Sequence, residues 1–341
     1  MSEPAAGSSF ELERIVVRTP NWLGDTVMAL PMLAALRSAR RDARITLIGR
    51  WATLLAGQGV ADALLPYPKR QADRRDLASA IAHEAPDVAL LLPSSFESAF
   101  AAWRWGARRR IAYATDGRGL FLTDALPLPS PRRHQVDEYG GLLTPLGVTD
   151  CAGVPQWTLA KSAPADADVD ALLAAAGLDG RSPLVGLHLG AAFGSSKLWP
   201  AEAYGRLARL LTDDGLQPVL LGTPEDAATA AAVAHAAGVE IASMVGRDRV
   251  ALLPRLLTRL CCLVSGDTGV AHLAAAVGVA TVTLFGPTDR RLTAPRGSAT
   301  RVLDRQVPCS PCFRSTCPID HICLRRIEPE SVRAQVRSAV A

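Results

Sequence analysis

An apolar run, Leu260-Cys261-Cys262-Leu263-Val264-Ser265, stops at Gly266-Asp267-Thr268-Gly269, and an alanine-rich helical pattern, Val270-Ala271-His272-Leu273-Ala274-Ala275-Ala276, follows at once. The order is strand, tight turn, helix. The first amides of such a helix have no partner within it and the helix dipole is positive there, so the turn can hold an anion such as a phosphate. A plainer reading makes Asp267 and Thr268 ordinary N-cap residues and Gly269 a turn former. An aspartic protease would need a second Asp-Thr-Gly or Asp-Ser-Gly to share its proton, and the chain has none.

Three other positions invite chemistry. Lys197 ends the small-residue loop His188-Leu189-Gly190-Ala191-Ala192-Phe193-Gly194-Ser195-Ser196-Lys197 and precedes Leu198-Trp199-Pro200. Free amides and a mobile cation there suit a phosphate, although a lone loop lysine is commonly just solvated. Glu225, in Gly222-Thr223-Pro224-Glu225-Asp226, can accept from ribose hydroxyls or simply favour a helix start. Asp25 closes the loop Thr19-Pro20-Asn21-Trp22-Leu23-Gly24-Asp25, where it is either a base facing an interdomain cleft or the N-cap of a helix beginning at Thr26. A cap needs neither Trp22 nor Gly24.

The elements that carry these residues alternate. Strand-like runs at 15–18, 45–49, 88–92 and 110–113 are separated by helical patterns, and the alternation restarts at 184–188, 218–222, 260–265 and 280–285. Repeated strand and helix predict a parallel sheet covered on both faces, here twice, and ligands of such sheets gather at the carboxyl ends of the strands. With 341 residues the chain exceeds what one core usually serves. The expected division is a flexible tail over 1–13, a first Rossmann-like domain over 14–160, a linker over 161–181, a second such domain over 182–326 and a helix over 327–341. Neither half carries G-x-G-x-x-G after its first strand, and no G-x-x-x-x-G-K-[ST] occurs, which argues against a dinucleotide oxidoreductase and a P-loop NTPase.

Composition sets further bounds. Apolar residues make up 49% and charged residues 21%, which is globular, and no apolar stretch is long enough to span a bilayer. The N-terminus lacks the pattern of a secretory signal, so a cytoplasmic location is expected. The net charge is +4, and of 37 basic residues only Lys69, Lys161 and Lys197 are lysine. No nucleic-acid module is visible; arginine clusters such as 108–110, with Trp103 and Trp105 nearby, would suit phosphates or an anionic membrane, or are a solvated surface. Cys309, Cys312, Cys317 and Cys323 are spaced C-x2-C-x4-C-x5-C, compact enough for a structural metal or cluster, with reduced thiols as the alternative.

Four blocks in register, Asn21-Trp22-Leu23-Gly24-Asp25, Pro93-Ser94-Ser95-Phe96-Glu97-Ser98, 190–200 and Gly266-Asp267-Thr268-Gly269-Val270-Ala271-His272, resemble the lipopolysaccharide heptosyltransferases of glycosyltransferase family 9, type II more than type I. The resemblance implies an α/β GT-B fold, two Rossmann-like doubly wound domains facing a central cleft. It implies metal-independent, inverting transfer of L-glycero-D-manno-heptose from ADP-heptose to the first heptose of a lipid A-linked inner-core oligosaccharide, at the cytoplasmic face of the inner membrane, with no cofactor required. Asp25 matches the general base and Lys197 a group acting on the donor; Asp267, Thr268, Gly269 and His272 match donor-binding positions, and Glu225 a ribose contact. The acceptor side would draw on Asn21, Trp22, Ser95 and Arg110. The C-terminal helix is expected to return to the N-terminal domain. Alternatives are a type I enzyme, another sugar-nucleotide transferase of the same fold, or a nucleotide-sugar-binding protein without catalysis, which would have no use for a base at Asp25.

Overall fold

The computed structural model of the protein describes residues 13–151, 153–178, 182–247 and 249–340. Nearly all of the tail expected over 1–13, and residues 179–181 of the expected linker, lie outside them. The chain forms two compact units. The first takes the described residues of Met1–Asn21, Met32–Pro131 and Val136–Ala152; the second takes Trp22–Pro31, Arg132–Gln135 and the described residues of Gly153–Ala341.

In the first unit the strands β1 (Arg14–Arg18), β2 (Arg44–Gly49), β3 (Ala63–Pro66), β4 (Val88–Leu91), β5 (Arg109–Tyr113) and β6 (Asp124–Leu126) form one parallel sheet in the order β3-β2-β1-β4-β5-β6. The middle strands are the apolar runs of the sequence. Ile15 lies beside Ile45 and Val88 across three strands, and all three are fully buried. Strands covered on both faces need apolar residues at every position rather than at alternate ones. On one face Val16, Ile48, Ala89 and Leu91 pack with Ala99, Ala102 and Trp105, from the helix Phe96–Arg104 and its end.

The second unit repeats the plan with β7 (Leu184–His188), β8 (Gln217–Leu221), β9 (Ala242–Ser243), β10 (Leu260–Gly266), β11 (Ala280–Phe285) and β12 (Thr300–Asp304), ordered β12-β11-β10-β7-β8-β9 and again parallel. Its core joins Val185, Leu187, Val264, Val282 and Leu284 to Leu207 and Leu211 of the amphipathic helix Ala201–Asp213. Among the described residues no helix is long and apolar enough to cross a membrane.

Two expectations about the chain's course change. The stretch read as a linker contains a helix, Ala163–Ala175, with the Ser162 side chain accepting from the Ala165 amide and Arg255 bonded to Asp166, and it belongs to the second unit. The C-terminal helix, Pro329–Val340, packs within the second unit: Val332 and Val336 are wholly buried in the core that β10 and β11 share, and Arg333 pairs with Asp214.

Candidate active site

In an open parallel sheet the crevice for a ligand forms where the strand order reverses, at the carboxyl ends of the two strands that flank the reversal. In the second unit those strands are β7 and β10, so the two loops involved are the one ending in Lys197 and the turn Asp267-Thr268-Gly269.

Asp267 is the hub. It is 6% exposed, and its Oδ2 accepts from Lys197 Nζ at 2.6 Å and from Thr288 Oγ1 at 2.7 Å. Lys197 Nζ also donates to the Asp267 carbonyl at 3.1 Å and stands 4.8 Å over the Phe193 ring. The helix Gly269–Ala276 starts directly behind, with Thr268 at its N-cap in an extended conformation and no side-chain cap bond. Thr268 thus holds the N-cap position without capping through its side chain, and Asp267 precedes it. Thr268 Oγ1 instead shares a 2.8 Å bond with Ser265 Oγ, which lies 3.4 Å from His188 Nδ1. Burial lowers the His188 pKa to about 4, against a small opposing effect of Asp226, so this relay is neutral.

His272 comes one turn into the same helix, its Nε2 4.0 Å from Asp267 Oδ1. Burial outweighs that carboxylate and lowers its pKa to about 4, so it offers a neutral imidazole and not a cation.

Asp25 lies in the first turn of the helix Leu23–Met28, whose N-cap is Trp22; the helix starts three residues earlier than expected and Asp25 does not cap it. Gly24 and Gly269 let this helix meet the helix Gly269–Ala276 at backbone distance: a Cβ on Gly269 would stand 2.7 Å from Leu23 Cβ, and one on Gly24 2.8 Å from His272 Cδ2. Asp25 keeps some surface open to solvent while most of its surroundings are protein. That desolvation, reinforced by Asp267 and opposed by Lys197, raises its carboxyl to about 6. A carboxylate so placed is ionised at neutral pH yet more basic than an ordinary aspartate, which is what proton abstraction asks for.

Glu225 sits in the exposed turn Pro224–Asp226 beyond β8, held below the usual carboxylate range by a hydrogen bond from the Thr223 side chain. Its neighbour Asp226 turns inward, accepting from Thr223 N and Oγ1 at 2.8 and 3.0 Å. Thr288 was not singled out from the sequence. Its signal is positional: it follows β11, the strand beside β10, by three residues.

The residues expected on the acceptor side have other partners in the first unit. Asn21 Oδ1 accepts from Arg18 Nη2 at 2.8 Å and its carbonyl from Trp51 Nε1 at 3.0 Å. The Ser95 side chain accepts from the Ser98 amide at the start of a helix, and Arg110 donates to the carbonyls of Ala107 and Phe121. Trp22, in the second unit, is 50% exposed. Trp103 is exposed as well, stacked on Phe100 and edge-on to Phe121, whereas Trp105, expected on the same basic and aromatic surface, is buried in the core.

The cysteine spacing does not translate into a metal site. Among the described residues no group of three or more His, Cys, Asp or Glu side chains is gathered as a metal requires. Cys309 is exposed, Cys317 Sγ accepts from the His321 amide at 3.2 Å, and Cys323 is buried against Gly286. Cys309 and Cys317 still lie near enough to add to the burial that raises the Cys323 thiol, so these three share one neighbourhood without forming the compact set a metal requires.

The fold is that of two-sheet sugar transferases. The Escherichia coli ADP-heptose lipopolysaccharide heptosyltransferase II structure matches with a TM-score of 0.80 at 23% identity, covering 96% of this chain and 98% of that one. The Escherichia coli heptosyltransferase WaaC with ADP-2-deoxy-2-fluoro heptose matches with a TM-score of 0.66 at 20% identity, over 95% and 99%. In sequence, the lipopolysaccharide heptosyltransferase 2 of Salmonella typhimurium is 28% identical, covering 85% of this chain and 87% of its own. Residues 74–323 match the profile of glycosyltransferase family 9 (heptosyltransferase), and the chain belongs to that family of transferases.

Proposed function

We propose that this enzyme transfers L-glycero-D-manno-heptose from ADP-heptose to the first heptose of the lipopolysaccharide inner core, with inversion and without a catalytic metal. The observation that carries the reading is the Asp25 carboxyl, raised to about 6 beside the Lys197 and Asp267 pair at a helix N-terminus. Ionised Asp25 takes the proton of the acceptor hydroxyl as that oxygen attacks the anomeric carbon; the bond to the diphosphate breaks on the opposite face and ADP leaves. Lys197 and the first amides of the helix Gly269–Ala276 meet the charge that develops on the departing diphosphate. Asp267, a carboxylate, does not face phosphates itself; it holds Lys197 and Thr288 in place. The exposed Glu225 reaches the ribose hydroxyls.

A positioned base is worth about 10² to 10⁴ in rate, or about 3 to 5 kcal/mol of barrier. The relatives' names support heptose as the sugar, and the related structure with an ADP-heptose analogue supports the nucleotide. The exposed aromatics Phe100 and Trp103, packed on the half-buried Phe121 with the exposed Leu120 beside it, support a working position against the cytoplasmic face of the inner membrane. Incubation with ADP-heptose and defined acceptors tests all of this by mass spectrometry. The one-heptose acceptor should gain one heptose; gain on the zero-heptose acceptor alone makes the enzyme type I, and gain on neither overturns the reading.

A further inference from the structure

The cysteine-bearing tail after β12 contributes no metal set, yet it is bonded in turn to both loops that meet at Asp267. Ser310 Oγ donates to the Gly286 carbonyl, and the Cys312 and Phe313 amides donate to the Pro287 carbonyl at 3.0 and 2.8 Å, just before Thr288. The chain then crosses to the other loop. The Arg314 carbonyl accepts from Ser196 Oγ, and the Ser315 carbonyl accepts from the Ser196 amide at 3.0 Å, one residue before Lys197. Further on, the Ile327 carbonyl accepts from Trp199 Nε1 at 3.2 Å. Ser196 is 2% exposed, and its neighbour Gly194 has φ +142°, with a Cβ there falling 2.3 Å from the Ser315 carbonyl oxygen. Among the described residues, three of the five non-glycine residues with positive φ, Phe313, Asp320 and His321, lie in this same tail. Backbone held in that region persists where its surroundings over-determine it, and it concentrates at functional sites.

We propose that residues 309–327 are a positioning strap for the donor site, and that Ser196 is the residue through which the strap sets Lys197 against Asp267. The strap touches neither substrate. It fixes the separation of the Lys197 loop from the Thr288 loop, so that the two donors converge on one carboxylate oxygen and Lys197 stays aimed at the turn. This inference rests on the reading of Lys197 as the diphosphate contact.

Two measurements on the whole chain test it, one of which needs no ligand. In Ser196→Ala the bond to the Arg314 carbonyl is lost, and acetylation of Lys197 by a brief pulse of acetic anhydride, read by peptide mass spectrometry, should speed up about fivefold, the worth of one hydrogen bond. ADP affinity by calorimetry should fall by about the same factor, and by more in Gly194→Ala, where the strap's carbonyl must shift. In the Lys197→Ala background, Ser196→Ala should change ADP affinity by less than about twofold, because the two act as one unit. Unchanged Lys197 labelling and unchanged ADP affinity in a Ser196→Ala protein that merely melts earlier would overturn the strap, as would an equal loss with and without Lys197. If the wild type binds no ADP, the donor reading falls, and the labelling rate still decides the strap.

Discussion

The two sheets share one plan, six parallel strands with a reversal in the middle, but their carboxyl-end rims are built to opposite purposes. In the first unit the buried guanidiniums donate chiefly to loop oxygens, although Arg18 Nε itself has no partner among the described residues. Arg118, 1% exposed, donates to the carbonyls of Pro93 and Tyr113, and Arg18, 2% exposed, donates to the Thr19 carbonyl and Asn21 while lying 4.0 Å over the Tyr67 ring. In the second unit the half-buried cation Lys197 faces a buried carboxylate, with a helix terminus lacking a side-chain cap beside it. A guanidinium committed to backbone carbonyls braces a loop. An ammonium on a flexible stem that shares a carboxylate can turn to a phosphate. Repetition of the architecture did not carry the chemistry with it.

The comparison breaks most sharply at Asp25. Asp25→Asn should lower heptose transfer by about 10³, within the usual range for a general base, and leave ADP affinity unchanged by calorimetry. The same variant should melt later than wild type at pH 8. Asp25 in the folded protein titrates near 6, above its ordinary 3.8, so stability is lost as pH rises through about 6, and asparagine removes that loss. At pH 4 the two proteins should melt alike. In the wild type, kcat/KM should rise about tenfold per pH unit below 6 and flatten above it; a profile flat from pH 5 to 8 would remove Asp25 as the base.

Lys197→Ala comes next. It strands Asp267 in a buried site, and losing one partner of such a pair costs about 3 to 5 kcal/mol, so lower stability should accompany a weaker grip on ADP. Arg118→Met sharpens the contrast from the other side. It leaves buried carbonyls without their donor, a loss of about 1 to 3 kcal/mol in thermal or chemical unfolding, yet ADP affinity should not move. Glu225→Gln should do least: about a threefold weaker affinity for ADP, with inorganic pyrophosphate unaffected in a competition assay.

What the sequence discloses follows the same division between inside and rim. The inner strands, β1, β2 and β4 in one sheet and β7, β8, β10 and β11 in the other, are legible because strands covered on both faces must be largely apolar, and β5 is legible only by its short apolar stretch from Ile111 to Tyr113. The edge strands β3, β6, β9 and β12 are not, because they are short or only half buried and carry no such run. The Asp267 turn stands out directly after a buried run, and Asp25 and Lys197 at the ends of the loops that follow two others. The start of the helix at Leu23 does not, since Trp22 at the N-cap supplies no capping side chain. Thr288 becomes visible only once β11 is known to lie beside β10. The cysteine spacing is incomplete for a related reason: sequence shows intervals, and only the fold shows Cys323 buried near Cys317 and the exposed Cys309 without the compact set a metal requires.

The facing glycines, Gly24 and Gly269, act as a caliper. The two helix starts meet through backbone, the Leu23 side chain and the His272 ring, so the span from Asp25 to the Asp267 turn is set by a contact with no room for another atom. A methyl group on either glycine would open that span by a fraction of an ångström. Such an enzyme would hold its donor, keep its acid titration, and still miss the reach its own chemistry demands, a fault that neither excess substrate nor alkaline buffer repairs.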